Sequence, residues 1–220
     1  MVHPPADEPP PDSSARDEER AFLVTAALGA ALIPVAVGVA GLLSVDIVAA
    51  AGLSFAAVFW GVAACAPLVA LLHCFLRTQW RPLAEFRQSQ LKFFTEIGFT
   101  LTTRRALVLA AIAGLSEELL FRGAVQTALS RDYPSALAVI LPNIVFGALH
   151  ARTLLYAVIA GLVGVYLGVC YHLTGSLAAP VITHALYDFV ALVWTRKAID
   201  AAGLQVRSGR ADSSDSSTAG

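Results

Sequence analysis

Residues 106–123 read ALVLAAIAGLSEELLFRG, an apolar run interrupted by Ser116, Glu117 and Glu118, with Arg122 one turn further on. Apolar character resumes and ends near Arg131-Asp132-Tyr133-Pro134, which makes the stretch a lipid-spanning helix with charge inside it. A charged group at bilayer depth costs about 3 kcal/mol or more, so such groups face a protein interior or a wet cavity and tend to carry function.

The neighbouring stretches have the same apolar character. Ala21 to Leu43 and Ile47 to Leu72 each exceed the roughly 20 apolar residues that a spanning helix needs. Downstream come Ser135 to His150, Leu154 to Tyr171 and Leu177 to Thr195; the last contains His184 and Asp188 and stops at Arg196-Lys197. The expected fold is therefore all-α, a polytopic transmembrane helix bundle of about six spans. Between Arg77 and Arg105, six basic residues stand against Glu85 and Glu96, and this amphipathic connector is expected along the membrane surface. The predicted division is a disordered acidic tail over 1–20, two N-terminal spans over 21–76, the basic connector over 77–105, a core carrying the polar motifs over 106–197, and a disordered tail over 198–220.

Composition agrees. The chain is 57% hydrophobic and only 14% charged, and its mean hydropathy is +0.69, above that of an ordinary soluble domain. Its net charge of -1 arises because an acidic N-terminus offsets basic clusters elsewhere, which points to no nucleic-acid partner. The first residues, rich in proline and acid, lack the pattern of a removable signal peptide. Cys65, Cys74 and Cys170 are odd in number and show no CxxC spacing, so neither a disulfide framework nor a thiolate metal site is expected. Arg16, Arg20, the connector, Arg152, Arg196 and Lys197 fall on one side of the expected spans and only Arg131 on the other, which places both termini in the cytoplasm. The alanine-rich, compact chain is expected in a bacterial inner membrane. Gly161, Gly164 and Gly168 would let the fifth span approach a neighbour closely.

Helical spacing sorts the intramembrane polar residues. Glu118 and Arg122, four apart, share a face and are placed to form an ion pair. Glu117 is turned about 100° from Glu118 and has no cation on its own helix, which makes it the carboxylate free for chemistry. Phe146 and His150 are four apart, so the aromatic ring can restrain the imidazole, with Pro142 nearby to kink the helix and open space. Pro180 stands in the same relation to His184. Asp188 shares a face with His184 and can hold its ring in one tautomer. At 1.5 Å per residue, Glu117 and His150 lie about 21 and 24 Å from the outer turn, whereas His184 lies only about 13 Å from it. Tilt, a kink at Pro180 or a later helix start would have to close that gap.

The set Glu117-Glu118-x-x-x-Arg122, Phe146-x-x-x-His150 and His184-x-x-x-Asp188, in this order on three late spans, resembles the CPBP (CaaX protease and bacteriocin-processing, or Abi) family of intramembrane proteases. Type II CaaX prenyl endopeptidases are its eukaryotic relatives. The likeness covers about Ala106 to Thr195, with Phe121-Arg122-Gly123 and Thr174-Gly175-Ser176-Leu177 as family-like flanks. It implies peptide-bond hydrolysis in a membrane cavity, with a protein or peptide substrate, such as a C-terminal or membrane-anchored segment, reached within the bilayer. By that resemblance Glu117 and His150 activate water, His184 and residue 188 stabilise the oxyanion, and Glu118 and Arg122 support the first motif. The third motif commonly ends in asparagine; an ionised Asp188 cannot donate a hydrogen bond, which leaves it to orient His184, to bind a metal, or to act when protonated.

Glu117, His150 and His184 would also make an acceptable zinc shell with an open position, although HExxH is absent. A metal-free, glutamate-activated water is the favoured alternative. Two other functions fit intramembrane charge: a proton-coupled transporter component, disfavoured because no internal repeat is evident, and an inactive immunity or chaperone-like family member, disfavoured because the motif set is intact. Rhomboid GxSG, presenilin GxGD and site-two HExxH signatures are each incomplete.

Overall fold

The structure, a computed structural model, describes residues 11–204. Helices α1 (Pro11–Ala30) and α2 (Leu32–Leu42) form the first hairpin arm, followed by the short α3 (Ile47–Ala51) and the long α4 (Phe55–Arg77). After α5 (Arg81–Glu96), helix α6 (Thr103–Glu118) passes without a break into a π-helical segment, Leu119–Gln126, and then α7 (Thr127–Asp132). Helices α8 (Ser135–Leu149), α9 (Leu154–Thr174) and α10 (Ala178–Ala201) complete an all-α bundle, with no strand among the described residues.

Four helices are long and apolar enough to cross a bilayer: Ser14–Leu42, Phe55–Arg77, Leu154–Thr174 and Ala178–Ala201. The charged stretch over 103–132 is continuous helix about 45 Å long, ample for a fifth crossing, and α8 is a shorter apolar helix. Large apolar side chains such as Leu71, Ile144 and Leu162 are exposed all around the bundle, as expected of an integral membrane protein whose outer solvent is lipid.

Several boundaries differ from expectation. The second span does not run from Ile47; α3 ends at Gly52, whose φ of +54° suits glycine's conformational freedom, and Ser54 caps α4 by accepting from Ala57 N at 3.1 Å. The first helix begins at Pro11, so residues 11–20 are helical rather than tail. Glu18 and Glu19 there ion-pair with Arg105 at 3.0 Å each, and Glu18 also accepts from Thr100 N at 3.1 Å, so α6 gives that turn tertiary partners. At the other end α10 continues through Ala201. Residues 1–10 and 205–220, the rest of both expected tails, lie outside the described residues.

The main packing pairs α10 with α6 and α4, and α8 with α9. The glycine stripe of α9 is what lets α8 approach. A Cβ at Gly164 would meet the side chain of Asn143 and stand 3.2 Å from the Phe146 ring.

Candidate active site

Glu118 and Arg122 form the expected ion pair, Nη1 to Oε1 at 2.9 Å, with both side chains wholly buried. Neither the pair nor its surroundings is self-contained. Arg122 Nη2 donates to Asn143 Oδ1 at 2.8 Å and to the Gly164 carbonyl, while Asn143 Nδ2 donates to Val139 O at 2.6 Å. Because Gly164 lacks a side chain, the guanidinium reaches the α9 backbone with the Asn143 amide packed beside it. One helix turn on, Gln126 does the same, donating from Nε2 to Gly168 O at 2.9 Å.

The π-helical segment begins immediately after Glu118 and includes Phe121, Arg122 and Gly123. Such widened turns are costly in isolation and concentrate at functional sites. Here Phe121 meets Phe146 edge to face at 5.0 Å between ring centroids, and the Arg122 guanidinium lies 5.3 Å from the same Phe146 ring.

Both histidines turn Nδ1 toward an acceptor, for different reasons. His150 closes α8 as its C-cap, and its Nδ1 lies 2.8 Å from the Phe146 carbonyl. A carbonyl only accepts, so Nδ1 carries the proton and Nε2 keeps a free lone pair. Phe146 stacks at 4.4 Å between centroids, as its spacing predicts, and Tyr156 meets the His150 ring edge-on at 5.8 Å. His184 Nδ1 donates to Glu118 Oε1 at 2.8 Å. That leaves its Nε2 between Asp188 Oδ2 at 3.4 Å and Glu117 Oε2 at 3.9 Å. The ring is therefore fixed from behind by Glu118, an arrangement that the spacing of His184 and Asp188 alone does not reveal.

Glu117 makes no hydrogen bond among the described residues, and its side chain is 18% exposed. Its carboxylate lies within electrostatic reach of His184, Asp188, His150 and Glu118. Glu117, Glu118, His184 and Asp188 thus lie side by side, although the depth count sets His184 nearer the outer face, while His150 stands against Phe146 and Tyr156. The α9–α10 turn is sunk into the fold: Ser176 Oγ donates to Gly52 O at 2.8 Å, Leu177 N donates to Ala50 O at 2.9 Å, and Ser176 and Leu177 are buried beneath the 47–54 segment. Pro180 does not kink α10. It occupies the first turn of that helix, where a missing N–H is one of the groups left without an intrahelical partner in any case. Asn143 and Gln126, buried and committed to this network, were not singled out by spacing. The available signal was an amide in an otherwise apolar helix.

Among the described residues no group of three or more His, Cys, Asp or Glu side chains is placed to hold a metal ion. Glu117, His150 and His184 as arranged are not such a group. The cysteines are free, Cys65 and Cys170 buried and Cys74 exposed.

A family model described as type II CAAX prenyl endopeptidase, Rce1-like, matches residues 99–190. The match spans α6 through the first half of α10 and contains all three motifs. No curated protein and no solved structure matches the chain.

Proposed function

On the premise that residues 99–190 carry a type II CAAX prenyl endopeptidase Rce1-like domain, which supports a CAAX-type intramembrane endopeptidase, we propose that Glu117 and His150 activate the water that cleaves a peptide bond in a C-terminal, membrane-anchored segment. The observation that carries this proposal is the condition of Glu117: a partly exposed carboxylate with no hydrogen bond of its own, facing His184 Nε2 at 3.9 Å, while its buried neighbour Glu118 is tied through Oε1 to Arg122 and His184.

In the proposed cycle the His150 Nε2 lone pair accepts a hydrogen bond from water and orients it, and Glu117 removes its proton as the oxygen attacks the scissile carbonyl carbon. The carbonyl π pair moves onto oxygen. Collapse of the tetrahedral intermediate reforms the carbonyl and breaks the C–N bond, and the proton held by Glu117 passes to the leaving amine. Glu118, Arg122 and Asn143 keep His184 in place, and Asp188 holds the face of that ring turned toward the cavity.

The test is reconstitution in lipid nanodiscs with an internally quenched peptide ending in a CAAX sequence, supplied both S-farnesylated and unmodified. Glu117→Gln should lower the rate by about 10²–10⁴-fold, the usual contribution of a general base, with unchanged insertion and thermal midpoint. Wild-type turnover by Glu117→Gln would remove this carboxylate from the chemistry. Cleavage of the farnesylated peptide alone would assign a prenylated substrate, and equal cleavage of both would assign the peptide segment itself.

A further inference from the structure

Hydrolysis in a water-poor site needs a hydrogen-bond donor aimed at the oxygen on which charge develops, and the two motif histidines have none to spare. His150 Nδ1–H is committed to Phe146 O, and His184 Nδ1–H to Glu118. Any proton on His184 Nε2 is directed at carboxylates, with Asp188 at 3.4 Å and Glu117 at 3.9 Å. An ionised Asp188 accepts only.

Beside these groups stands a side chain outside all three motifs. Tyr156 lies on the first turn of α9, which Thr153 caps by accepting from Tyr156 N at 3.1 Å. Its ring is held from several sides, edge-on to His150 at 5.8 Å, against Phe86 of α5 at 5.7 Å, and beneath the Arg152 guanidinium at 5.4 Å. The ring is half-buried, yet its hydroxyl makes no hydrogen bond among the described residues. The edge-on contact with His150 sets the Tyr156 ring beside the motif residues, and the phenol lies within electrostatic reach of both Asp188 and Glu117.

We propose that the Tyr156 hydroxyl is a catalytic residue of this chain, the neutral donor that hydrogen-bonds the oxyanion in place of the amide that Asp188 lacks. The inference rests on the hydrolytic reading of the site. No proton need leave the phenol: as the carbonyl pair moves to oxygen the O–H···O⁻ bond strengthens, and it relaxes when the C–N bond breaks.

The test measures kcat and KM for wild type, Tyr156→Phe, Asp188→Asn and the double variant in nanodiscs, with whichever CAAX peptide the wild type cleaves. Phenylalanine keeps the ring and its contacts with His150, Phe86 and Arg152, so the thermal midpoint should hold. Tyr156→Phe should lower kcat by about 100-fold, the typical loss of one oxyanion donor, with KM within about twofold. Asp188→Asn restores an amide donor next to His184, so adding Tyr156→Phe in that background should cost less than about tenfold. Wild-type kcat in Tyr156→Phe, a loss confined to KM, or an equal loss in both backgrounds overturns the assignment. A wild type no faster than Glu117→Gln overturns the hydrolytic reading, whereas a wild type that cleaves with Tyr156→Phe as fast overturns only the role of Tyr156.

Discussion

A single carboxylate oxygen, Glu118 Oε1, accepts from Arg122 at 2.9 Å and from His184 at 2.8 Å. Removing one member of such a buried set leaves charge without compensation, which costs about 3–5 kcal/mol, whereas replacing both ends with neutral groups of similar size is often close to neutral. Arg122→Leu should therefore lower the thermal midpoint sharply in detergent, and Glu118→Gln combined with Arg122→Met should recover much of the loss. A double variant no more stable than Arg122→Leu would mean that the guanidinium acts through Asn143 and Gly164 rather than through its ion pair. The ion pair was legible in the sequence because helical geometry places residues four apart on one face. The second use of Glu118 was not, since the spacing between Glu118 and His184 is set by how α6 and α10 pack. The same holds for Tyr156: an aromatic residue at the start of an apolar helix looks like packing until the His150 ring stands next to it.

At the level of elements, α8 and α9 meet through glycine, and that contact fixes the acceptors of Arg122. The close approach was legible from the recurrence of Gly161, Gly164 and Gly168. That Asn143 fills the space at Gly164 was not, because the partner lies on another helix. Gly164→Ala should crowd Asn143 and Phe146 and destabilise by about 1–3 kcal/mol, as overpacking generally does. Gly38 on α2 has no atom within 4 Å of an added Cβ, and Gly38→Ala should be neutral or mildly stabilising, by up to about 1 kcal/mol, from helix propensity alone. The contrast is read as two thermal midpoints in the same detergent; equal shifts would separate the glycine stripe from the site. The π-helical turn after Glu118 left no trace in the residue spacing, because an i→i+5 turn is set by the packing around it and not by the order of residue types. The break at Gly52 was missed for a different reason: apolar residues continue on both sides of it, so composition alone does not mark the turn.

Across the whole molecule, the folded chain gathers its basic residues at one end through contacts that join distant segments. Arg105 binds Glu18 and Glu19, Arg152 Nη2 donates to Gln90, and Arg196 Nη1 donates to Thr103. At the opposite end Arg131 donates to the carbonyls of Leu43 and Ser44. Cytoplasmic loops carry the excess of lysine and arginine, so the crowded end, where α1 begins and α10 ends, is expected in the cytoplasm. Helix α8 starts from the Arg131 end and rises only about 22 Å, which leaves His150 short of the basic face and α5 above it, with Phe86 against Tyr156 and Arg152 stacked on Phe93 at 3.8 Å. In that orientation the proposed hydrolysis is expected to draw water from the cytoplasmic side, with the scissile bond presented there. No disulfide binds Cys65, Cys74 or Cys170, so a cysteine-free background is attainable, and single cysteines can be placed at Gln79 and at Asp132, both exposed. In spheroplasts of a bacterial host, a membrane-impermeant maleimide should label the cysteine at 132 at once and the one at 79 only after permeabilisation. The opposite order would invert the bundle and place the catalytic opening on the outer face, where a cytoplasmic C-terminal peptide could not reach it.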